Sequence, residues 1–216
     1  MTNPRLSYQT VEFGSTDIHL CTLRNKQEFH DPAGVAEKLG IGSAVWPLFG
    51  IIWPSSMVLA HFMADYDTGT KRVLEIGCGM ALSSLLLNKR HVDITATDHH
   101  PEVERFLQRN TLLNKDSNIA FERVGWGEES DNLGLFDLII GSDVLYEDEH
   151  AELLANFIDA HANRRCDAVI VDPGRHRKNK LSERMLAHGF AASEHKPIHT
   201  DYLEQEFKGH ILQFER

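Results

Sequence analysis

The first feature of the sequence that could do chemistry is a glycine-containing turn within residues 72–84. An apolar run with one acidic residue, Glu75, leads into the turn. Gly77, Cys78 and Gly79 follow, and then small and helix-forming residues. This pattern is typical of a buried strand that turns sharply into a helix, because glycine tolerates a positive φ and lets the backbone approach a ligand. Since the start of a helix has unpaired N–H donors, the turn predicts a nucleotide-like ligand.

Two further positions narrow the class of ligand. Asp98 follows the next predicted strand, 23 residues after Glu75, where a carboxylate can accept hydrogen bonds from both hydroxyls of a ribose. The alternative is that Asp98 caps the helix that follows it. A dinucleotide-binding turn has a third glycine where this chain has Leu82. Leucine there favours a nucleoside cofactor without a diphosphate, S-adenosylmethionine rather than NAD.

A tryptophan stands between two glycines after the third predicted strand, at Trp126. Such a turn leaves an aromatic face open for stacking on an adenine ring. The alternative, that Trp126 packs against the edge of the sheet, fits the sequence equally well.

An acidic residue and a tyrosine stand three positions apart after the fourth predicted strand, at Asp143 and Tyr146. In a helical turn this spacing brings both side chains to one side. A carboxylate and a phenol at the edge of a cofactor site can orient an amine nucleophile and stabilise positive charge on it. The alternative is that Asp143 caps the following helix and Tyr146 lies in its core. The pair is not the Asn/Asp-Pro-Pro-Tyr arrangement expected for methylation of adenine amino groups in nucleic acid.

Basic residues follow the fifth predicted strand, in the segment DPGRHRK at residues 172–178. Pro-Gly predicts a tight turn, and the basic side chains after it either contact an acidic patch on a partner or are solvated. His99 and His100 directly follow Asp98; they either contact the cofactor or are exposed loop histidines. The thirteen histidines have no spacing that suggests a metal site, so the sequence predicts none. The absence of a clustered Asp/Asn ligand set argues against a metal-dependent O-methyltransferase.

The composition is that of an ordinary globular chain, with 216 residues of which 42% are apolar and 25% charged. The net charge of −10 argues against tight non-specific binding to nucleic acid. Three cysteines, Cys21, Cys78 and Cys166, are widely spaced without a CxxC, which predicts reduced thiols in the cytoplasm. We also expect no membrane partner, because residues 1–8 are polar and lack an apolar signal region and no apolar run approaches the roughly 18–20 residues of a membrane span.

The elements that must position these residues can be read from the apolar pattern. Residues 11–13 and 18–23 predict a β-hairpin. Two Trp-Pro pairs follow, at Trp46 and Trp53, and the second starts a predicted helix. We divide the chain into the hairpin with its connection, residues 1–45, and a main part, residues 46–216. Together they are predicted to form one structural domain.

From residue 73 onward, predicted strands and helices alternate. The strands are predicted at residues 73–76, 92–97, 119–124, 136–141, 168–171, 190–194 and 210–214. The main helices between them are predicted at residues 81–88, 101–110, 149–161 and 181–188. The fold class is therefore α/β: a Rossmann-like, seven-stranded, mostly parallel sheet with helices on both faces, its last strand antiparallel, plus the N-terminal hairpin. Ligands bind at the carboxyl ends of the strands in such sheets.

The combined motifs resemble those of a known superfamily. The order is Glu75-x-Gly77-x-Gly79, then Asp98, Trp126 and Asp143-x-x-Tyr146. It is similar to the seven-β-strand S-adenosylmethionine-dependent methyltransferases, and within them to the protein-lysine branch. The Trp53-Pro54 pair and the DPGR turn resemble the electron-transfer-flavoprotein β-subunit lysine methyltransferase and its bacterial relatives. The resemblance covers roughly residues 45–180.

The resemblance implies a site for S-adenosylmethionine. Glu75 would hold the methionine amino group, directly or through water, with Gly77 and Gly79 passing beneath it. Asp98 would bind the ribose and Trp126 would flank the adenine. The other residues predicted at the cofactor site are Trp53, Cys78, His99 and Ser142.

The resemblance also implies that Asp143 and Tyr146 line the entry of the acceptor amine and are the catalytic residues. The expected reaction is in-line displacement of the methyl group by a neutral lysine ε-amine of a protein. A free lysine has a pKa of about 10.4, and we expect the sulfonium charge and desolvation to lower it. Asp143 would hold the amine in line or assist proton loss through water. The electron-transfer flavoprotein β-subunit is the first candidate substrate.

Two alternatives use the same fold. In the first, the tryptophan-rich wall around Trp46 and Trp53 shapes a small pocket, and the acceptor is a small-molecule amine. In the second, the domain is a non-catalytic binding module. Loss of Asp98 or blocked glycines would indicate such a module, and the sequence has neither feature.

Overall fold

The computed structural model describes residues 4–31, 33–44, 46–127, 133–146, 149–175 and 177–216. The strands are β1 (Leu6–Phe13), β2 (Thr16–Leu23), β3 (Val73–Ile76), β4 (Ile94–Asp98), β5 (Ala120–Arg123), β6 (Phe136–Ser142), β7 (Ala162–Asp172), β8 (Ala191–His195) and β9 (His210–Glu215). The helices are α1 (Val35–Lys38), α2 (Pro54–Asp65), α3 (Leu82–Lys89), α4 (Val103–Leu113), α5 (His150–His161) and α6 (Lys178–Ala187), with a short 3₁₀ turn at Leu48–Gly50.

Seven of the strands form one sheet, in the order β5-β4-β3-β6-β7-β9-β8. The first five strands of this order, β5, β4, β3, β6 and β7, pair in parallel with their neighbours. In contrast, β9 runs antiparallel to both β7 and β8. These observations confirm the predicted fold class, with its mostly parallel sheet, antiparallel last strand and N-terminal hairpin. The chain moves outward from β3 to β4 and β5 and then crosses to β6 on the other side of β3. Such a reversal opens a crevice at the carboxyl ends of the strands.

Helices cover both faces of the sheet. Successive residues of a strand point to opposite faces of the sheet, and two consecutive residues of β3 illustrate this. Val73 belongs to a core that contains buried residues of α2, α3, α4 and the hairpin. Leu74 belongs to a second core, which contains buried residues of α5 and α6. Because both faces are buried, the central strands are almost continuously apolar, which is the pattern that predicted them.

Asparagine side chains attach the hairpin to the main sheet-and-helix layer. The side chain of Asn110 on α4 accepts a hydrogen bond from the backbone N–H of Cys21 at 2.7 Å. Asn114 accepts from the N–H of His19 at 2.8 Å and donates to the carbonyl of His19 at 2.7 Å. The hairpin also contributes fully buried Ile18 to the shared core. It therefore packs as part of the same body as α4. The predicted boundary residue, Val45, lies outside the described residues.

Some element ends differ from the predicted ones. Helix α4 begins at Val103 rather than at residue 101, and β7 begins at Ala162 rather than at residue 168. The first half of β7 is polar and is held by hydrogen bonds instead of apolar burial. The side-chain amide of Asn163 donates to Asp137 at 2.7 Å, and Cys166 exchanges two backbone hydrogen bonds with Arg216. Such contacts leave no apolar pattern in the sequence. Among the described residues, no helix combines the length and the apolar character needed to span a membrane.

Candidate active site

A cavity of about 660 Å³ opens at the carboxyl ends of β3, β4, β5 and β6. Its size lies within the range of roughly 300–1,000 Å³ that small-molecule sites occupy. All predicted cofactor and catalytic residues except Glu75 line it. They are Trp53, Gly77, Cys78, Gly79, Asp98, His99, Trp126, Ser142, Asp143 and Tyr146. The fold thus brings together residues that are spread over about ninety positions of the sequence.

The glycine turn forms one wall of this cavity with bare backbone. Gly77 and Gly79 have φ values of 57° and 52°, a region that glycine adopts more easily than other residues. A Cβ atom on Gly77 would lie 2.9 Å from Cγ1 of Val144, and one on Gly79 would lie 3.3 Å from the carbonyl oxygen of Phe49. The turn therefore requires glycine for space as well as for conformation. Ala81, which was predicted inside the helix, precedes it with a positive φ of 54°.

Asp98 joins the end of β4 to the glycine turn. One carboxylate oxygen accepts a hydrogen bond from the N–H of Gly79 at 2.9 Å, and the other accepts from the N–H of His100 at 2.8 Å. Burial raises the pKa of Asp98, and the hydrogen bonds from His100 and Gly79 oppose the rise. Helix α4 begins at Val103 with Glu102 in the N-cap position. The alternative that Asp98 caps this helix is therefore wrong, and its carboxylate borders the cavity instead.

Glu75 lies beneath the turn and does not line the cavity. Its carboxylate accepts hydrogen bonds from the backbone N–H of Ser84 at 2.9 Å and from the hydroxyl of the same residue. The side chain is 2% exposed, and burial raises its pKa to about 7. Glu75 thus anchors the start of α3, and a contact with a methionine amino group stays a prediction.

Trp126 lies beside the glycine turn. The Cζ2 atom of its ring would be 3.7 Å from a Cβ built on Gly77, and its ring meets the His150 ring edge-on at 5.4 Å. The ring also packs against the core that includes α5 and α6. Both interpretations of Trp126 therefore describe part of its position, since it packs on the protein and still borders the cavity. Glu128, at the end of the same motif, lies outside the described residues.

Asp143 and Tyr146 both line the cavity, although a helical turn does not bring them there. Residues 143–146 are not helical, and Asp143 has a positive φ of 56°. The alternative that Asp143 caps the next helix is also wrong, because Glu149 occupies the N-cap position of α5. The N–H of Asp143 donates to the carbonyl of Val171 at 2.9 Å. This contact joins the backbone at the ends of β6 and β7.

Arg175 connects the two predicted catalytic residues. Its Nη1 atom lies 2.8 Å from Oδ1 of Asp143, and its guanidinium carbon lies 4.4 Å from the centre of the Tyr146 ring. Burial raises the pKa of Asp143; Arg175 opposes the rise and Asp172 adds to it. Partial burial raises the pKa of the Tyr146 phenol to about 12. The sequence placed Arg175 in the basic cluster but predicted no contact with Asp143. His176 of that cluster lies outside the described residues.

The opposite wall of the cavity comes from residues before β3. The indole N–H of Trp53 donates to the carbonyl of Leu48 at 2.9 Å, which holds the Trp53 ring at the cavity. Residues 39–42 also line the cavity, and His99 is hydrogen-bonded to the carbonyl of Leu39 at 3.2 Å. The sequence predicted an irregular connection or a short helix for residues 24–42, and the short helix is α1. The contact between His99 and Leu39 spans sixty residues, so no local pattern marks it.

His100 is a core residue. It is 5% exposed, and its ring stacks on Phe49 at 4.0 Å between ring centres. Burial lowers its pKa to about 4. The interpretation of His100 as an exposed loop histidine is therefore wrong. The described part of the chain contains no group of three His, Cys, Asp or Glu side chains that could hold a metal ion.

The sequence matches one described protein family over most of its length. A family model for lysine methyltransferases matches residues 38–185 of the 216-residue chain. The match includes the glycine turn, Asp98, Trp126 and the Asp143–Tyr146 motif.

Individual relatives align with about half of the chain. The protein N-lysine methyltransferase METTL21A of Danio rerio is 31% identical over 115 residues, which are 48% of this chain and 52% of the relative. The histone-arginine methyltransferase METTL23 of Xenopus laevis is 32% identical over 108 residues, which are 47% of this chain and 46% of the relative. The chain thus spans about half the length of the curated relatives that it matches.

A solved structure shows the same fold. The magnesium protoporphyrin IX methyltransferase ChlM of Synechocystis, crystallised with bound SAM, superposes with a TM-score of 0.59 at 17% identity. The superposition covers 74% of this chain and 77% of that chain.

Proposed function

Because the chain belongs to the lysine methyltransferase family, we propose that it transfers a methyl group from S-adenosylmethionine to the ε-amine of a lysine in a protein. One observation carries this proposal. Asp143 and Tyr146 line the same cavity as Asp98 and the turn at residues 77–79. A methyl donor on the turn and an acceptor amine beside Asp143 would therefore share one cavity.

The residues around the turn suit S-adenosylmethionine. A side chain on Gly77 would meet Val144, so the turn offers backbone where a cofactor needs close approach. Asp98 presents a carboxylate for the ribose hydroxyls, and Trp126 presents an aromatic ring for the adenine. When bound, S-adenosylmethionine supplies a methyl group on a positively charged sulfur.

The acceptor side needs a neutral amine held in one direction. A free lysine has a pKa of about 10.4 and is mostly protonated at neutral pH. Asp143 lines the cavity, and its backbone is held by the hydrogen bond to Val171. It can hold the amine in line, and its Oδ atoms can receive the proton through water. Correct positioning of the two partners supplies most of the acceleration.

Tyr146 has a different role from Asp143. Its phenol has a pKa of about 12 because it is partly buried, so it stays neutral and does not act as a base. It shapes the channel for the amine and can hydrogen-bond to it through its hydroxyl.

We propose a cytoplasmic protein as the substrate, with the electron-transfer flavoprotein β-subunit as the first candidate. The three cysteines, Cys21, Cys78 and Cys166, are free and buried, which suits a reducing compartment. A protein arginine is a second candidate acceptor. The observation that favours it is the 32% identity to the relative named a histone-arginine methyltransferase.

The decisive experiment supplies the purified chain with S-adenosylmethionine carrying a labelled methyl group and with extract from cells that lack this chain. We expect label on protein, and mass spectrometry should locate it on lysine. The electron-transfer flavoprotein β-subunit is tested alone in parallel. Asp143→Ala and Asp98→Ala are the inactive controls.

Each other result identifies a different function. Methyl-arginine would support the second acceptor, and label confined to small molecules would indicate a small-molecule amine methyltransferase. Cofactor binding without any transfer would indicate a non-catalytic module.

A further inference from the structure

The turn that follows β7 directs Arg175 back toward the cavity. Gly174 has a φ of 99°, and its N–H donates to a carboxylate oxygen of Asp172 at 2.9 Å. This short hydrogen-bonded turn reverses the chain after Pro173, so that the side chain of Arg175 reaches Asp143 on the neighbouring strand end. Glycine favours this conformation because it has no Cβ atom.

Arg175 covers the Asp143–Tyr146 pair from outside the cavity. Its guanidinium contacts both residues, yet Arg175 does not line the cavity itself. Its side chain is 32% exposed, whereas that of Asp143 is 6% exposed. The arginine is therefore the more exposed member of the pair and shields Asp143 on the side away from the cavity.

The position of the guanidinium matches the chemistry of the acceptor. A lysine side chain that enters this site brings a cationic or amine group to the carboxylate of Asp143 and the ring of Tyr146. Arg175 already makes both contacts, an ion pair and a cation–π contact. The acceptor and Arg175 therefore compete for the same partners, and Arg175 has to move when the acceptor binds.

A displaced guanidinium needs a new anionic partner, because leaving a cation unpaired near the protein surface loses the energy of the original pair. Asp172 is a second carboxylate whose charge acts on Asp143. One of its two carboxylate oxygens accepts from Gly174, and because the residue is only 1% exposed it is not accessible from the solvent side. The substrate itself can supply the partner.

A second cation lies on the opposite wall of the cavity, over the ring of Trp53. Lys26 is exposed, its Nζ atom lies 4.3 Å from the centre of the Trp53 ring, and its charge acts on Asp143 together with that of Arg175. A substrate that approaches Asp143 therefore meets two cationic side chains, which favour acidic neighbours around the acceptor.

We propose that Arg175 selects acceptor lysines that have an acidic side chain beside them, because the guanidinium exchanges Asp143 for that carboxylate when the lysine enters. This inference rests on the proposed function, since it specifies the class of substrate for the same site. Arg175 is in this sense a specificity-determining residue.

The test uses three synthetic peptides with a single central lysine. The first has Glu on both sides of the lysine, the second has Gln there, and the third has Gln there and the same two Glu residues at its ends. Binding to the full chain is measured by fluorescence anisotropy in the presence of S-adenosylhomocysteine. We expect the first peptide to bind about tenfold more tightly than the other two.

The variants identify the residue responsible. Arg175→Gln should lose most of the preference, with only the share that comes from Lys26 remaining, whereas Arg175→Lys, which keeps the charge, should retain a larger part. Arg105→Gln removes the same charge from an exposed site on α4, where Arg105 pairs with Glu102, and should behave as the unmodified chain. Equal binding of the three peptides to the unmodified chain, including no binding of any, would overturn the proposal. A full preference in Arg175→Gln would overturn it as well.

Methyl transfer to the same peptides is measured separately, so that the two proposals can fail independently. If the first peptide shows an Arg175-dependent preference in binding but receives no methyl group, the proposed function fails and the selection by Arg175 stands. If all three peptides are methylated equally well and bind equally well, the selection fails and the proposed function stands.

Discussion

Glu75 accepts hydrogen bonds from both the backbone N–H and the hydroxyl of Ser84, so a buried carboxylate fastens β3 to the first turn of α3. Both donors are uncharged. Burial therefore dominates and raises the pKa of Glu75 to about 7, although the two hydrogen bonds from Ser84 lower it and the charge of Asp98 adds to the rise. The glycine turn lies directly between the two elements that this contact joins.

The first prediction concerns stability and pH. The folded chain holds the Glu75 proton more tightly than the unfolded chain does. Protonated Glu75 therefore adds fully to the free energy of unfolding below a pH of about 4.5, and this contribution is lost as the pH rises through about 7. At about 1.4 kcal/mol per pKa unit, the loss is roughly 3 kcal/mol. Glu75→Gln keeps an acceptor for Ser84 and should remove this loss. Urea unfolding at pH 5 and pH 8 measures it.

The control for this experiment is Glu12→Gln, at an exposed position of the hairpin, which should leave the pH dependence of the unmodified chain in place. An equal fall in stability between pH 5 and pH 8 in the Glu75→Gln variant and in the unmodified chain would contradict the prediction.

The second prediction separates space from backbone conformation at the glycine turn. Gly77 and Gly69 have φ values of 57° and 50°, but a Cβ would meet Val144 only at Gly77 and would find open space at Gly69. An alanine at either position costs about 1 kcal/mol for the left-handed backbone. Gly77→Ala should cost about 1–3 kcal/mol more because of the contact with Val144. Urea unfolding of both variants gives the difference.

The double variant Gly77→Ala/Val144→Ala tests the cause of that difference. In the Val144→Ala background, which lacks the methyl groups of Val144, Gly77→Ala should lower the free energy of unfolding less than it does in the unmodified chain. If Gly77→Ala and Gly69→Ala are equally destabilising, space at the turn is not limiting.

The sequence was most informative where local chemistry decides the structure. The apolar runs at residues 136–141 and 168–171 predicted buried parallel strands because both faces of such strands are covered. The residues after the strands then had to meet at one edge of the sheet. This is why Asp98, Trp126 and Asp143 could be assigned to one site before the fold was known.

The parts that the sequence did not predict depend on contacts between distant residues. The pairing of Arg175 with Asp143 requires a left-handed residue at the end of β6 together with the turn at the end of β7. The Pro-Gly pair predicted the turn, but the Asp-x-x-Tyr spacing indicated a helical turn rather than the left-handed residue. Likewise, the part of the cavity wall formed by residues 39–42 depends on a hydrogen bond to His99 and has no repeating pattern of its own.

The third prediction concerns the cofactor. Asp98→Ala should weaken the binding of S-adenosylmethionine by about ten- to a hundredfold, because hydrogen bonds to a charged group contribute about 1.5–3 kcal/mol. Asp98→Asn should have a smaller effect, since it keeps one acceptor oxygen for the N–H of Gly79 or His100. Isothermal titration with S-adenosylmethionine measures both affinities, and thermal unfolding checks that the variants are folded. Unchanged affinity in Asp98→Ala would exclude Asp98 as a cofactor ligand.

The last prediction distinguishes the acceptor side of the cavity, at Asp143, from the cofactor side, at the glycine turn and Asp98. Asp143→Ala should lower the rate of methyl transfer at least a hundredfold, in the range expected for loss of a positioned acid–base group. Its affinity for S-adenosylmethionine should change by no more than about threefold, because the glycine turn and Asp98 are untouched. Tyr146→Phe keeps the ring beneath Arg175 and should lose less activity than Asp143→Ala. Single-turnover assays on an identified substrate and isothermal titration give the two quantities. Near-normal turnover by Asp143→Ala would show that the acceptor amine is held elsewhere in the cavity.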